Sequence, residues 1–202
     1  MSEGGQVFGD VQITGSRLVL RAFRPDEIEA EWQAMVTADP MTIGELPQEA
    51  SFKARLQRSG RLADGWLDLA IALGGVAGSE LAERGVAGSE LAERGEAIGR
   101  IQTFVPRGRS LPPGTFDIGI ALRADVRGRG YGREALALLT DWLFEHAAAQ
   151  VVEAPTDPAN VAMRTVFERV GWQLAGSQHE LGREWVVYRM TRPQWQARAA
   201  AG

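Results

Sequence analysis

An α/β fold arranged around one mixed sheet is what this sequence predicts, and three observations predict it. Strand-like apolar runs at Trp66 to Leu73, Glu96 to Val105 and Thr115 to Leu122 follow one another in the manner of a hairpin meander. Beyond them, helical and strand patterns alternate to the end of the chain. Between these two regions lies a glycine-rich turn, Leu122-Arg123-Ala124-Asp125-Val126-Arg127-Gly128-Arg129-Gly130-Tyr131-Gly132-Arg133, which joins a strand to a helix.

The elements follow in order. Ser16 to Arg24 reads as a strand with Leu18 and Leu20 on one face. Arg24-Pro25-Asp26 opens a helix rich in first-turn acids, from Asp26 to about Thr37. Residues 39–49 carry Pro40, Gly44 and Pro47 and read as loop; a second helix covers about 50–61. After the three strands of the meander, Glu134 to Gln150 carries an apolar stripe at Leu136, Leu139, Leu143 and Ala147, an amphipathic helix. Val151 to Ala154 is a short strand and residues 156–160 a turn. A helix from about 159 to 170 ends at Gly171, and two strands close the sheet near 172–177 and 183–191. That order gives a mixed α/β layout around one sheet.

Inside the meander, the decapeptide Gly75 to Arg84 is followed at once by an identical copy, Gly85 to Arg94. Repeat architectures stack units of about 20–50 residues, usually three or more. Two decapeptides are instead read as a tandem duplication in a hairpin loop, where added length costs little.

A chain of 202 residues fits a single domain spanning its whole length, with a core from about 12 to 195. No run approaches the roughly 18 apolar residues of a membrane span, and the opening residues lack an apolar signal segment, so a cytoplasmic protein is expected. With no cysteine and only His146 and His179, no metal site is expected. Residues 1–105 hold 16 acids and 10 bases, whereas residues 106–202 hold 10 acids and 12 bases. A polyanion therefore suits the second half and a cation the first. An acidic chain with a net charge of −4 is a poor nucleic-acid binder.

Glycine at every second position lets several backbone N–H groups point into one concavity at the positive end of a helix, which suits a diphosphate. A nucleoside-triphosphate loop needs Gly-Lys-Ser/Thr, which Gly132-Arg133-Glu134 does not supply. Gly130, Gly132 and Ala135 match a dinucleotide-binding pattern, with Glu153 at the acidic position of an oxidoreductase. Against that stands the meander, since a dinucleotide fold needs repeated crossover helices.

A third pattern covers most of the chain. Arg127-x-x-Gly130-x-Gly132 resembles the R/Q-x-x-G-x-G/A signature of the GNAT superfamily of N-acetyltransferases. Asn160 to Trp172 is similar to the superfamily's asparagine helix ending in Gly-aromatic. Gly15 to Arg24, Arg183 to Tyr188 and Arg192-Pro193-Gln194-Trp195 resemble the RimJ/RimL-type subgroup, which acetylates ribosomal-protein N-termini.

The resemblance implies a mostly antiparallel sheet splayed open after its fourth strand, here 115–122, with acyl-CoA, most commonly acetyl-CoA, filling the gap. Backbone groups around Leu122, Arg123 and Ala124 would pair with the pantetheine arm. The N–H groups from Arg127 through Gly128, Arg129, Gly130 and Tyr131 to Gly132 would hold the diphosphate. Arg123, Arg127, Arg129 and Arg133 would add charge or stay solvated, and Asn160 would bond to the pantetheine arm or cap its own helix. Asp117 and Glu184 are the candidate bases, with an outward-facing position as the alternative for Asp117. Trp32, Met41 and Trp66 would line the acceptor cleft or belong to the core.

Where relatives carry a serine or a tyrosine that can donate a proton, this chain has Met163 and Phe167. The implied activity is acyl transfer to a primary amine of a small cationic molecule or a peptide N-terminus. A CoA-binding regulatory protein without turnover is the reading from another class. Acyl-CoA and the amine are the expected partners, with neither nucleic acid nor membrane, and a homodimer is among the expected assemblies.

Overall fold

The structure, a computed structural model, describes residue 9 and residues 11–37, 46–74, 95–106, 111–180 and 182–201. Met41 and both copies of the duplicated decapeptide lie outside the described residues. The chain forms β1 (Ile13–Thr14), β2 (Leu18–Arg21), α1 (Ile28–Val36), α2 (Glu49–Leu56), β3 (Trp66–Leu73), β4 (Ala97–Phe104) and β5 (Thr115–Leu122). Then come α3 (Tyr131–His146), β6 (Val151–Thr156), α4 (Val161–Val170), β7 (Gln173–Glu180), β8 (Arg183–Thr191) and α5 (Arg192–Ala201). One eight-stranded sheet runs in the order β1-β2-β3-β4-β5-β6-β8-β7. Because the two-residue β1 stands apart from β2, the strand expected as fourth is β5.

Among the described strands, β5 and β6 are the one parallel pair, which rules out a dinucleotide fold built on parallel crossovers. The antiparallel β3–β4 pairing makes the connection that holds the duplicated decapeptides a hairpin connection.

Alternation decides which residues each face buries. On one face Leu67, Leu69 and Ile71 of β3, Ile101 of β4 and Phe116 and Ile118 of β5 pack beneath Ala135, Leu136, Leu139 and Leu143 of α3. On the other, Ile28, Trp32 and Met35 of α1 join Phe52 and Leu56 of α2 over Ala70. Trp32 is 7% exposed, and its ring sits 5.6 Å from that of Phe52. It is a core residue of the α1–α2 layer, not a wall of an acceptor cleft. The entry to α1 is pinned by Glu27, whose carboxylate accepts from the Arg21 guanidinium at 2.6 and 2.8 Å and from the N–H groups of Arg24 and Ala97.

Candidate functional site

The sheet opens where β5 and β6 part. Their pairing covers Thr115↔Val151, Phe116↔Val152 and Asp117↔Glu153 and goes no further. Residues 118–122 continue to pair with β4 on one edge, up to Gly99↔Leu122. Their other edge presents alternating N–H and C=O groups to a gap, and such an edge takes an extended partner with amides of its own.

At its end β5 delivers the chain to the glycine turn. Arg123 N–H donates to Ile98 O at 3.0 Å, and a 3-10 turn at Ala124–Val126 leads to Gly128 and Gly130, with φ of +77° and +83°. The left-handed conformation at Gly130 starts α3 at Tyr131, three residues earlier than the helical pattern suggests. Gly130 has no side chain with which to cap the helix. The first N–H groups of the helix thus have no intrahelical acceptor and face outward at the positive end of a 16-residue helix.

Gly132 lies within α3, not in the turn. A Cβ there would meet Leu122 Cδ1 at 3.5 Å, an ordinary contact, and its backbone is not left-handed. The fold does not require glycine at this position, and the signature that the chain resembles accepts glycine or alanine there. The left-handed Gly128 and Gly130 and the N–H groups at the start of α3 fit the diphosphate that the turn's pattern implies.

A clamp that the sequence pattern did not reveal holds the turn in place. Arg17 donates through Nη1 to Arg129 O at 3.0 Å and through Nε to Glu134 Oε2 at 2.8 Å. The Arg17 N–H and the Ser16 hydroxyl donate to Glu134 Oε1, and the Arg17 guanidinium lies 5.0 Å from the centroid of the Tyr131 ring. Tyr131 is 4% exposed and part of the core, so only its N–H group can serve a ligand. Arg127 donates to Leu122 O and Arg129 to Asp125 O, while Arg123 pairs with Asp125. Arg133 is exposed.

Burial works to raise the Glu134 carboxyl, but the bonds from the Arg17 N–H, the Arg17 guanidinium and Ser16 outweigh it and hold it below the ordinary carboxylate range. The ionised form is therefore favoured in the folded state. Its contribution is present above the unfolded value, about 4.3, and is lost as pH falls through the lower folded value. Glu134→Gln is expected to flatten this part of the acid limb when urea midpoints are followed from pH 7 to pH 3.

The candidate residues on the α1 face form a row. Trp66↔Phe104, Phe104↔Asp117, Asp117↔Glu153 and Glu153↔Arg189 are consecutive register partners across β3, β4, β5, β6 and β8. Trp66 stacks on Phe104 at 4.8 Å and lines a cavity with Arg55, Arg58 and Phe104. Asp117 is 4% exposed, which corrects the outward-facing alternative, and it occupies the last position before the gap. Glu153 is fully buried and bonded by Arg189 at 2.7 and 3.1 Å.

Glu184 is exposed and lies beyond the last β6–β8 pair, Thr156↔Val186. Alternation along β8 sets it on the face of Tyr188 and Met190, opposite Arg189. The structure does not bring Glu184 together with Asp117.

Asn160 caps α4, accepting from Met163 N–H at 3.1 Å through Oδ1, a bond that uses neither of the donors on Nδ2. Phe167 is buried between the rings of Trp172 and Tyr188, at 5.2 and 5.0 Å, and the Tyr188 hydroxyl donates to Glu168. The pattern reading also passed over Asp68, Arg100 and Glu31, charged groups under α1. The signal was present in Asp68 and Arg100, each the one charged residue of a largely apolar strand.

Among the described residues, no helix is long and apolar enough to cross a membrane, and no group of three or more His, Asp or Glu side chains could hold a metal ion. No curated protein matches the sequence. Solved structures do match in fold. An acetyltransferase of the GNAT family from Bacillus anthracis is 17% identical with a TM-score of 0.66, covering 91% of this chain and 99% of its own. The aminoglycoside acetyltransferase AAC(6')-Ib in complex with coenzyme A gives 17%, 0.66, 89% and 98%. An acetyltransferase from Agrobacterium tumefaciens gives 24%, 0.66, 91% and 95%. At these identities the likeness is one of fold. The sequence itself carries the acetyltransferase (GNAT) domain over residues 17–173, and the chain belongs to the GNAT family of acetyltransferases.

Proposed function

We propose that this chain transfers an acyl group, in the first instance acetyl, from acyl-CoA to the primary amine of a small cationic molecule or of a peptide N-terminus. One observation carries the reading: the gap beyond Asp117↔Glu153 leads along β5 to the uncapped start of α3. A molecule with an extended amide-bearing arm and a diphosphate fits both features at once, the arm on residues 118–124 and the diphosphate on the N–H groups from Gly128 to Gly132. The solved relative bound to coenzyme A shares this fold. Arg17 keeps the turn in shape, and Asn160, which follows β6 at the start of α4, has donors on Nδ2 beyond the bond that caps its helix.

The acceptor approaches on the α1 face, where Asp117 lies in the row with Trp66 and Phe104. In this reading the reacting ammonium loses a proton to Asp117. The freed nitrogen pair forms the C–N bond at the thioester carbonyl carbon, the C–S bond breaks with its electron pair going to sulfur, and the second proton lost by the nitrogen passes to the departing thiolate, leaving a neutral amide and the CoA thiol. A thiolate needs little help from an acid, which agrees with Met163 and Phe167 standing where a proton donor is found in relatives. Glu184, on the other face, serves as base only for an acceptor that enters from the α4 side. With no cysteine in its sequence, nothing in the chain depends on an oxidising compartment, and the reading places it in the cytoplasm.

Calorimetry with acetyl-CoA followed by thiol-release assays over an amine library tests this function. Micromolar CoA binding with release dependent on one class of amine is expected, and no CoA-thioester binding at millimolar concentration defeats it. The packing of Phe167 between Trp172 and Tyr188 favours a second reading, a CoA-binding regulatory protein. Tight CoA binding with no transfer to any amine would select it.

A further inference from the structure

Beside the end of β5, α1 roofs a cavity of about 270 Å³. Its walls are Glu31 and Met35 of α1, Arg100 of β4, and the residues from Ala121 to Asp125 that lead out of β5. We propose that Glu31 is the specificity-determining carboxylate of the acceptor site, binding a cationic group of the acceptor remote from the amine that reacts. This inference rests on the acyltransferase reading above.

Glu31 is paired with Arg100 on one side and also lines the cavity. Its side chain is 11% exposed, and its nearest cation is Arg100, whose Nε lies 3.4 Å from Oε1. The Arg100 Nε serves Glu31, while the rest of that guanidinium is committed elsewhere. Its Nη1 turns toward Asp68 Oδ1 and Gln102 Oε1, and its guanidinium lies 5.3 Å from the Phe52 ring centroid. Asp68 in turn is held by Arg55 and by the Trp66 indole N–H, each at 2.7 Å. The other charged groups on the cavity wall are occupied as well. Arg123 is paired with Asp125, and Arg127 donates to the Leu122 carbonyl.

Glu31 is therefore the cavity-wall carboxylate with capacity for a further cation. Burial raises it to about 7 against the pull of Arg100 and Arg123, with Asp68 adding to the rise. A cation in the cavity would favour its ionised form.

The separation defines the acceptor class. Arg100 pairs with Ala121, four residues along β5 from Asp117, about 13 Å at strand spacing. An acceptor that reacts at Asp117 and is recognised at Glu31 carries a second cationic group on the order of 10 Å from its reacting amine. Linear polyamines and peptides with a basic residue near the N-terminus meet this condition.

The test compares a linear eight-carbon diamine with the eight-carbon monoamine of matched length, using the full chain saturated with acetyl-CoA. Wild type is expected to show a KM for the diamine at least tenfold below that for the monoamine. That preference should grow from pH 6 to pH 8 as Glu31 ionises. Glu31→Gln should raise the diamine KM about tenfold, remove its pH dependence, and leave kcat, the monoamine KM and CoA affinity unchanged. Calorimetry of the diamine on CoA-loaded protein gives the same comparison without turnover.

Ala34→Lys puts a cation on the same wall and should weaken diamine binding even where Glu31→Gln folds poorly. Equal KM values for diamine and monoamine in wild type, or a Glu31→Gln effect confined to CoA affinity, would overturn the proposal. Absence of CoA binding in calorimetry would remove the acyltransferase reading itself, a separate outcome.

Discussion

Replacing Gly130 by alanine is expected to lower CoA affinity at least tenfold, about 1.4 kcal/mol at 25 °C, and to lower the melting temperature, whereas Gly132→Ala is expected to keep CoA affinity near wild type with a melting temperature unchanged or higher. The two glycines differ because the signature that the chain resembles accepts alanine at the position of Gly132, while Gly130 holds a left-handed backbone. Gly132 sits in the first turn of α3 with a helical backbone, where an added Cβ finds Leu122 Cδ1 at 3.5 Å and nothing closer. Alanine at a compatible helical site stabilises a protein by about 0.4–1 kcal/mol, chiefly by restricting the unfolded chain. Gly130→Ala is the contrasting case. Its φ of +83° and the Arg17 Nη2 atom 3.3 Å from the added Cβ make that change destabilising as well as harmful to binding. Thermal melts and CoA titrations of the two variants separate a glycine kept for backbone conformation from one that alanine can replace. A folded Gly130→Ala protein with wild-type CoA affinity would exclude the diphosphate from the glycine turn.

The parts of the fold legible in the sequence are those set by local periodicity. Strands β3 and β5 have the bounds that alternation and flanking turns indicate, and Gly171 ends α4 at φ +93°. Three features were less legible, each for a physical reason. A helix beginning at Tyr131 is hidden by Gly132, which looks like a breaker in the sequence although a single glycine costs a 16-residue helix only about 1 kcal/mol. The α5 helix is masked by Pro193, although proline costs little in a first turn, where its missing N–H would have no partner. The site charges are the third case. Asp68, Arg100 and Glu31 meet only because β3, β4 and α1 stack, and no spacing along the chain encodes that stacking. The same holds for Arg17 and Glu134, more than a hundred residues apart in sequence and bonded at 2.8 Å.

Asp117→Asn is expected to lower kcat on the order of 100-fold, with CoA affinity unchanged and melting temperature within a few degrees of wild type. Asparagine keeps the shape and the polar contacts of the side chain and removes its ability to take a proton. The case for Asp117 is positional. It is 4% exposed, it holds the last β5–β6 pair, and the strand edge beyond it is the one open to the donor arm. A nitrogen that attacks a thioester lying along residues 118–122 passes this carboxylate on the α1 face.

Glu153, its register partner on β6, does not offer the same function, because Arg189 holds one of its oxygens from two nitrogens at 2.7 and 3.1 Å. Glu153→Gln should therefore cost stability more than turnover, since it leaves Arg189 without its charged partner. The pH profiles decide between proton transfer and mere packing. A kcat/KM that falls at low pH in wild type and loses that limb in Asp117→Asn, while Glu184→Gln keeps it, identifies Asp117 as the base. Loss of the limb in Glu184→Gln with wild-type behaviour in Asp117→Asn would instead place the acceptor on the α4 side of the sheet.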